Sequence, residues 1–307
     1  MDAIKAHGTA NDFVVIADLE DSFELSADLA RALTDRRTGV GGDGAIRLGA
    51  PPADQPDAQV FMDHRNADGS HAEMCGNGVR VVAKLAVDHG LVAPQPGPDG
   101  DTLRVATRGG TKPVVLHRGP DGAVAEVTVD MGPPVLDPVQ VPFDLAGGDP
   151  GAVVHTVVVD GRDVELSVVS MGNPHGVLLV DDVATAPVAT LGPALETHPR
   201  FPAKANVGFA QVLDPGAIRL RVWERGVGET AACGTGACAA VVALQRRGML
   251  DDRVAVHLPG GTLTIAHPTG TLDTVTMRGP ATEVARVQLD PHWLAVAGVP
   301  THTEMPS

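Results

Sequence analysis

CGNGVRVVAKLAVDHGLV, residues 75–92, is answered by CGTGACAAVVALQRRGML, residues 233–250. Each stretch opens on a cysteine, a glycine, a polar residue and a second glycine, Cys75 to Gly78 and Cys233 to Gly236. Each reaches a further glycine fifteen positions after its cysteine, Gly90 and Gly248, followed by the apolar pairs Leu91-Val92 and Met249-Leu250. A glycine just past such a run is a helix stop, so the spacing predicts helices over Gly78–His89 and Gly236–Arg247. The second is apolar without interruption from Ala237 to Leu244, which suits a helix buried on every side by a sheet wrapped around it. The repeat therefore reads as two similar halves, each carrying one thiol to the start of a helix.

The rest of the chain reads as short strands between turn signals, with one more helix expected over Ala27–Asp35. Ala125, Val127, Val129 and Met131 alternate with polar residues, as do Ile218, Leu220 and Val222. Hairpins are expected around Asp160-Gly161 and around Pro259-Gly260-Gly261, and a polar loop over Pro94–Gly100. A chain of 307 residues exceeds the usual size of one hydrophobic core, so two domains are expected. The boundary falls near Gly132-Pro133-Pro134, giving an N-terminal half 1–133 that carries Cys75 and a C-terminal half 134–279 that carries Cys233.

Composition narrows the function. The formal net charge of −15 repels phosphate backbones and anionic headgroups, so neither nucleic acid nor a membrane is expected as a partner. No apolar run is long enough to span a bilayer, and Met1 to Phe13 lacks the order of a secretion signal, so a cytoplasmic location is expected. Three cysteines cannot build a disulfide framework. No metal is expected, because the 12 histidines form no familiar ligand spacing and Cys-x-x-Cys is absent. Gly39-Val40-Gly41-Gly42-Asp43-Gly44 fits the dinucleotide pattern G-x-G-x-x-G, but a charged segment precedes it and Ala45 to Leu48 reads as extended, so it is a turn-rich loop.

A cysteine just before a helix start sits at the positive end of the macrodipole, which favours thiolate. The first N–H groups of that helix lack intrahelical partners and can hold a carboxylate. Two such sites suit inversion of a carbon, where one group removes a proton from one face and another delivers one to the opposite face. The helix N-termini would stabilise the charge that develops when the α-proton leaves, a task otherwise done by a cofactor, so none is expected. Cys238, inside the apolar helix, reads as packing.

Five ordered blocks resemble the diaminopimelate epimerase family: KAHGTANDF (5–13), NADGS with EMCGNG (66–70 and 73–78), GNPH (172–175), ANV (205–207), and ERG through TAACGTG (224–226 and 230–236). The resemblance implies that Cys75 and Cys233 are the acid/base pair and that the backbone amides of Gly76, Asn77, Gly234 and Thr235 hold the reacting carboxylate. It implies that Asn11, Asn66, Asn173, Asn206, Glu224 and Arg225 bind the ammonium and carboxylate groups of a small amino-acid substrate, and that His175 supports a catalytic thiol. It implies epimerisation of LL- to meso-diaminopimelate in lysine and peptidoglycan precursor synthesis.

The implied fold is α/β of the α+β kind: two pseudo-symmetric halves, each a curved, mostly antiparallel sheet around a central helix. The segment 280–307 would return to the first half, and the active site would lie between the halves. The sequence is compatible with a homodimer. One departure stands out: Gly44 occupies the place where many members carry a glutamine that helps bind the substrate amine. A proline or hydroxyproline racemase on the same scaffold is the nearer alternative, and a thiol–disulfide oxidoreductase the more distant one. The asparagine set with Glu224-Arg225 favours a longer substrate with a second polar end.

Overall fold

The computed structural model describes residues 1–297. The chain divides into two units, Met1–Val129 with Gly279–Ser307, and Asp130–Arg278. Of the segment 280–307, strand Thr282–Gln288 pairs antiparallel with Asp2–Gly8, and residues 298–307 lie outside the described residues.

In the first unit, Thr282–Gln288, Asp2–Gly8 and Asn11–Asp18 run antiparallel, and Asn11–Asp18 then pairs parallel with Gly44–Gly49. Gly44–Gly49 pairs antiparallel with Val60–Asn66, which is parallel to Gly100–Ala106, and Lys112–Arg118 and Val124–Gly132 follow antiparallel. Parallel neighbours cannot be joined by a tight turn, so each needs a crossover. The two crossovers carry helix α1, Ala27–Thr34, and helix α2, Gly76–Asp88.

The second unit repeats this succession strand for strand. His155–Val159, Arg162–Ser170 and Pro174–Leu179 are antiparallel, and Pro174–Leu179 is parallel to Asn206–Asp214. Asn206–Asp214 is antiparallel to Ala217–Glu224, which is parallel to Arg253–Leu258, and Gly261–Ala266 and Val275–Pro280 complete the series antiparallel. Its two parallel steps carry helix α3, Val188–Glu196, and helix α4, Gly234–Arg246.

Helices α2 and α4 are the centres of their units. Strands Asp2–Gly8, Gly44–Gly49, Val60–Asn66, Gly100–Ala106 and Lys112–Arg118 all pack on α2, and Arg162–Ser170, Pro174–Leu179, Asn206–Asp214 and Gly261–Ala266 pack on α4. Every residue from Ala237 to Leu244 is at most 1% exposed, so the unbroken apolar run is explained by strands on all sides. Burial of Val241, Val242 and Leu244 contributes about 1.5–3 kcal/mol each, and the small side chains of Ala237, Ala239, Ala240 and Ala243 let the strands come close.

Both helices end in the same hydrogen-bonded stop. Gly90 N–H donates to Val87 O at 3.0 Å and Leu91 N–H to Ala86 O at 2.9 Å; Gly248 N–H donates to Gln245 O at 2.8 Å and Met249 N–H to Leu244 O at 3.1 Å. This double bond pattern requires a left-handed residue, supplied by Gly90 at φ 65° and Gly248 at φ 73°.

Four expectations need correction. Helix α3 was not foreseen, because Pro187, Gly192 and Pro193 mask it; Gly192 is required there, since a Cβ would lie 2.7 Å from Trp223 Cγ. The short helix Pro291–Val296, capped by Asp290, was also missed. Pro94–Gly100 is the tip of a hairpin between Gln95–Gly97 and Gly100–Ala106 rather than a loop. In Val124–Gly132, Ala125 is exposed and Val124 buried, because a register shift at His117/Arg118 breaks the simple alternation. The Asp160-Gly161 hairpin forms as expected, with φ of 50° and 74°, as a two-residue turn of this hand requires.

Candidate active site

Cys75 and Cys233 are the N-caps of α2 and α4, both extended, at φ −140°, ψ 111° and φ −118°, ψ 112°. The helices therefore begin two residues earlier than predicted, with Gly76-Asn77 and Gly234-Thr235 forming the first turn, where backbone N–H groups have no intrahelical acceptor. Sulfur is a weak acceptor compared with the oxygens preferred at this position, so neither helix start is fully capped by its cysteine. The third helical residue is glycine in both: a Cβ on Gly236 would lie 3.2 Å from Cys233 Sγ, and one on Gly78 would lie 3.0 Å from Met62 Sδ.

In the first unit, the hairpin turn Thr9-Ala10 delivers Asn11. Both turn residues are left-handed, at φ 56° and 61°, an arrangement that costs about 1–3 kcal/mol per non-glycine residue and needs support from its surroundings. Asn11 Oδ1 accepts from Asn77 Nδ2 at 3.2 Å and from Cys75 Sγ at 3.7 Å, while Asn11 Nδ2 donates to Asp43 Oδ2 at 2.9 Å. Behind it, Asp12 is bonded by Lys5 at 2.5 Å and Arg36 at 2.7 Å. Burial alone would raise the Asp12 pKa, but these hydrogen bonds and charges hold it well below the usual carboxylate range.

Asn66 Nδ2 donates to Ser70 Oγ at 3.0 Å, in a loop whose Gly69 is left-handed and where a Cβ would lie 2.8 Å from Ala27 O. Gly44, directly opposite Asn66 in the sheet, has no room for a side chain in this chain. A Cβ there would sit 2.5 Å from His64 Nε2 and 2.9 Å from Arg65 O, so His64 occupies the space a glutamine would need.

In the second unit, Cys233 Sγ accepts from Gly236 N–H at 3.4 Å and lies 3.6 Å from Thr235 Oγ1. Its thiol is pushed up well above its ordinary value, first by burial and then by the charge of Glu224. This reverses the expectation of a thiolate there: desolvation and a neighbouring carboxylate outweigh the helix dipole. Glu224 Oε1 accepts from Thr230 Oγ1. Asn206 Oδ1 accepts from Arg225 N–H at 2.9 Å, and Asn206 Nδ2 donates to Pro174 O at 3.2 Å.

His175 is buried, and burial followed by the charge of Arg225 pushes it down to about 3, so it is neutral. Its Nε2 lies 2.9 Å from Asn173 Oδ1, so the ring orients an asparagine. Cys238 is fully buried and pushed up to about 12 by desolvation. Among the described residues no group of three or more His, Cys, Asp or Glu side chains is placed to hold a metal, and no helix is long and apolar enough to cross a membrane.

Thus Asn11, Asn77 and Cys75 meet in one unit, with Asn66 in the strand opposite Gly44. Asn173, His175, Asn206, Glu224, Arg225, Thr235 and Cys233 form linked contacts in the other. Three residues were missed. Arg80 bonds Asn77, Thr9 and Pro280. Glu196 accepts from Trp223 Nε1 at 2.8 Å and Gly226 N–H at 2.9 Å, holding the 224–226 loop. Thr230 bonds Glu224. A charge inside the apolar run Val79 to Val82 was the available signal for Arg80.

This fold recurs in a hydroxyproline epimerase from Agrobacterium vitis solved with bound trans-4-hydroxy-L-proline, at a TM-score of 0.64 and 17% identity over 95% of this chain and 93% of that one. The relatives of this chain are named as epimerases, and the chain is an isomerase of the racemase and epimerase class. The family model of diaminopimelate epimerase matches residues 3–136 and 167–284, and the chain belongs to that family. A diaminopimelate epimerase of Thioalkalivibrio sulfidiphilus is 49% identical over 93% of this chain and 98% of its own length. One from Pseudomonas aeruginosa is 47% identical over 93% and 97%.

Proposed function

We propose that this protein epimerises LL-diaminopimelate to meso-diaminopimelate, with Cys75 and Cys233 as the two proton carriers. The observation that carries the mechanism is the matched pair of cysteine N-caps on two 13-residue helices, each with an incompletely capped first turn. Inversion needs a base for one face of Cα and an acid for the other. In the state described, Cys233 is held as the thiol, ready to donate a proton. The N–H groups of Gly76, Asn77, Gly234 and Thr235 suit the reacting carboxylate, whose negative charge grows as the α-proton leaves. The asparagines, with Glu224 and Arg225, bind the remaining polar groups. Three free cysteines fit work in the reducing cytoplasm.

Purified protein is incubated with LL-diaminopimelate, and separately with L-proline and trans-4-hydroxy-L-proline, and the stereoisomers are separated by chiral chromatography. Appearance of the meso isomer, with no inversion of either proline, is expected. Inversion of a proline in its place would contradict the substrate assignment.

A further inference from the structure

Arg80 lies inside α2 with 0% of its surface exposed, and no carboxylate hydrogen-bonds to it among its described contacts. Burying a cation without such a pair costs several kcal/mol. Its compensation is three acceptors: Pro280 O at 2.7 Å, Thr9 Oγ1 at 2.9 Å and Asn77 Oδ1. Two of these three lead to the first thiol.

The guanidinium can only donate. It therefore turns the oxygen of the Asn77 amide toward itself and the NH2 outward, where Asn77 Nδ2 donates to Asn11 Oδ1. Asn11 must then turn its own NH2 the other way, to Asp43 Oδ2, a carboxylate that can only accept. The donor-only end at Arg80 and the acceptor-only end at Asp43 agree, so both amide orientations are fixed, and the oxygen that meets Cys75 Sγ is placed by this chain of bonds. Through Thr9, the same guanidinium holds the left-handed turn that delivers Asn11. A purely structural clamp for α2 needs none of this polarity.

We infer that Arg80 is the positioning residue of the Cys75 site, aligning Asn77 and Asn11 through its planar fork and providing a fixed positive charge behind the thiol. The inference rests on the two-thiol reading above. Charge interaction between Arg80 and Cys75 supports it: burial pushes the Arg80 pKa down to about 10, and the charges of Cys75 and of Glu126, from strand Val124–Gly132, act against that fall. By reciprocity the guanidinium favours the Cys75 thiolate, while the carboxylate of Asp43 opposes it from beyond Asn11.

The test compares wild type, Arg80→Lys and Arg80→Met. Cys75 alkylation by iodoacetamide is followed against pH by peptide mass spectrometry, with circular dichroism to verify folding and kcat/KM for diaminopimelate in parallel. In Arg80→Met the Cys75 midpoint should rise by about one unit or more, slowing alkylation at pH 7 about tenfold because only the thiolate reacts. Arg80→Lys keeps the charge and should keep the midpoint within about half a unit, yet lose at least about tenfold in kcat/KM, because an ammonium cannot reproduce the fork.

An unchanged Cys75 profile in folded Arg80→Met overturns the inference. Should Arg80→Met not fold, Arg80→Lys decides: wild-type kcat/KM overturns the inference, and reduced kcat/KM at a retained midpoint supports it. The alkylation profile needs no turnover. A shifted midpoint in a protein whose wild type leaves diaminopimelate unchanged would therefore uphold Arg80's role while refuting the proposed function.

Discussion

Replacing Cys233 by serine should separate stability from catalysis in one atom. The side chain caps α4 through a 3.4 Å contact from Gly236 N–H to Sγ, with Thr235 Oγ1 at 3.6 Å. An oxygen is the better acceptor there, and the cap it forms is worth about 0.5–1 kcal/mol over a poor one. For a protein of this size that moves Tm upward by about 1–1.5 °C. The hydroxyl, however, ionises far less readily than a thiol and is a poor carrier for the α-proton. A positioned acid or base contributes about 10²–10⁴-fold, so kcat should fall by at least 10²-fold.

The same exchange at Cys238, where the sulfur is fully buried in apolar surroundings, should do the reverse: a loss of about 1–3 kcal/mol for the buried hydroxyl with activity retained. Differential scanning calorimetry and an epimerisation assay on the two variants give all four values. A Cys233→Ser variant within tenfold of wild-type kcat, or one whose Tm falls by more than about 5 °C, would refute the reasoning.

His64 gives a pH prediction. Both ring nitrogens are buried without a hydrogen-bond partner, and burial pushes its pKa down to about 4 from 6.5. The unfolded chain therefore binds a proton that the native state refuses, and stability falls as pH drops from about 6.5 to about 4, by roughly 3 kcal/mol from this residue. Urea midpoints across that range should decline less steeply in His64→Leu; an identical decline would show that His64 is not the cause. Gly44→Ala should lose about 1–3 kcal/mol, because the added methyl meets His64 and the Arg65 carbonyl. Recovery of part of that loss in Gly44→Ala with His64→Ala, measured as a double-mutant cycle, is expected, and strict additivity would contradict the packing described.

The parts of the fold legible in the sequence were those in which one residue type serves one purpose. The glycines at 90 and 248 announce left-handed helix stops, and the run Ala237–Leu244 announces a helix with no solvent side. Helix α3 was illegible because Pro187 and Pro193 are ordinarily turn signals; only the fold shows that it fills the crossover corresponding to that of α1 in the first unit. The candidate cysteines and asparagines stand in motifs that can be read directly from the sequence. The residues that hold them do not, because Arg80, Glu196 and Thr230 act through contacts between positions distant in sequence or through a hydroxyl whose partner only the fold selects. The ionisation of Cys233 was misjudged for a related reason: the dipole of a helix can be read from its start, whereas burial and the approach of Glu224 cannot.

The central claim is that two thiols carry the proton, and isotope transfer in heavy water tests it most directly. LL-diaminopimelate is converted to low extent in deuterium oxide, and both isomers are analysed by mass spectrometry. With Cys75 and Cys233 as separate carriers, the proton removed stays on one sulfur, and the other delivers a hydrogen already exchanged with solvent. The meso product should carry deuterium at its inverted centre from the first turnovers, while recovered LL isomer remains mostly protiated. Appreciable protium at the inverted centre of the product would show that a single group serves both faces and would contradict the account.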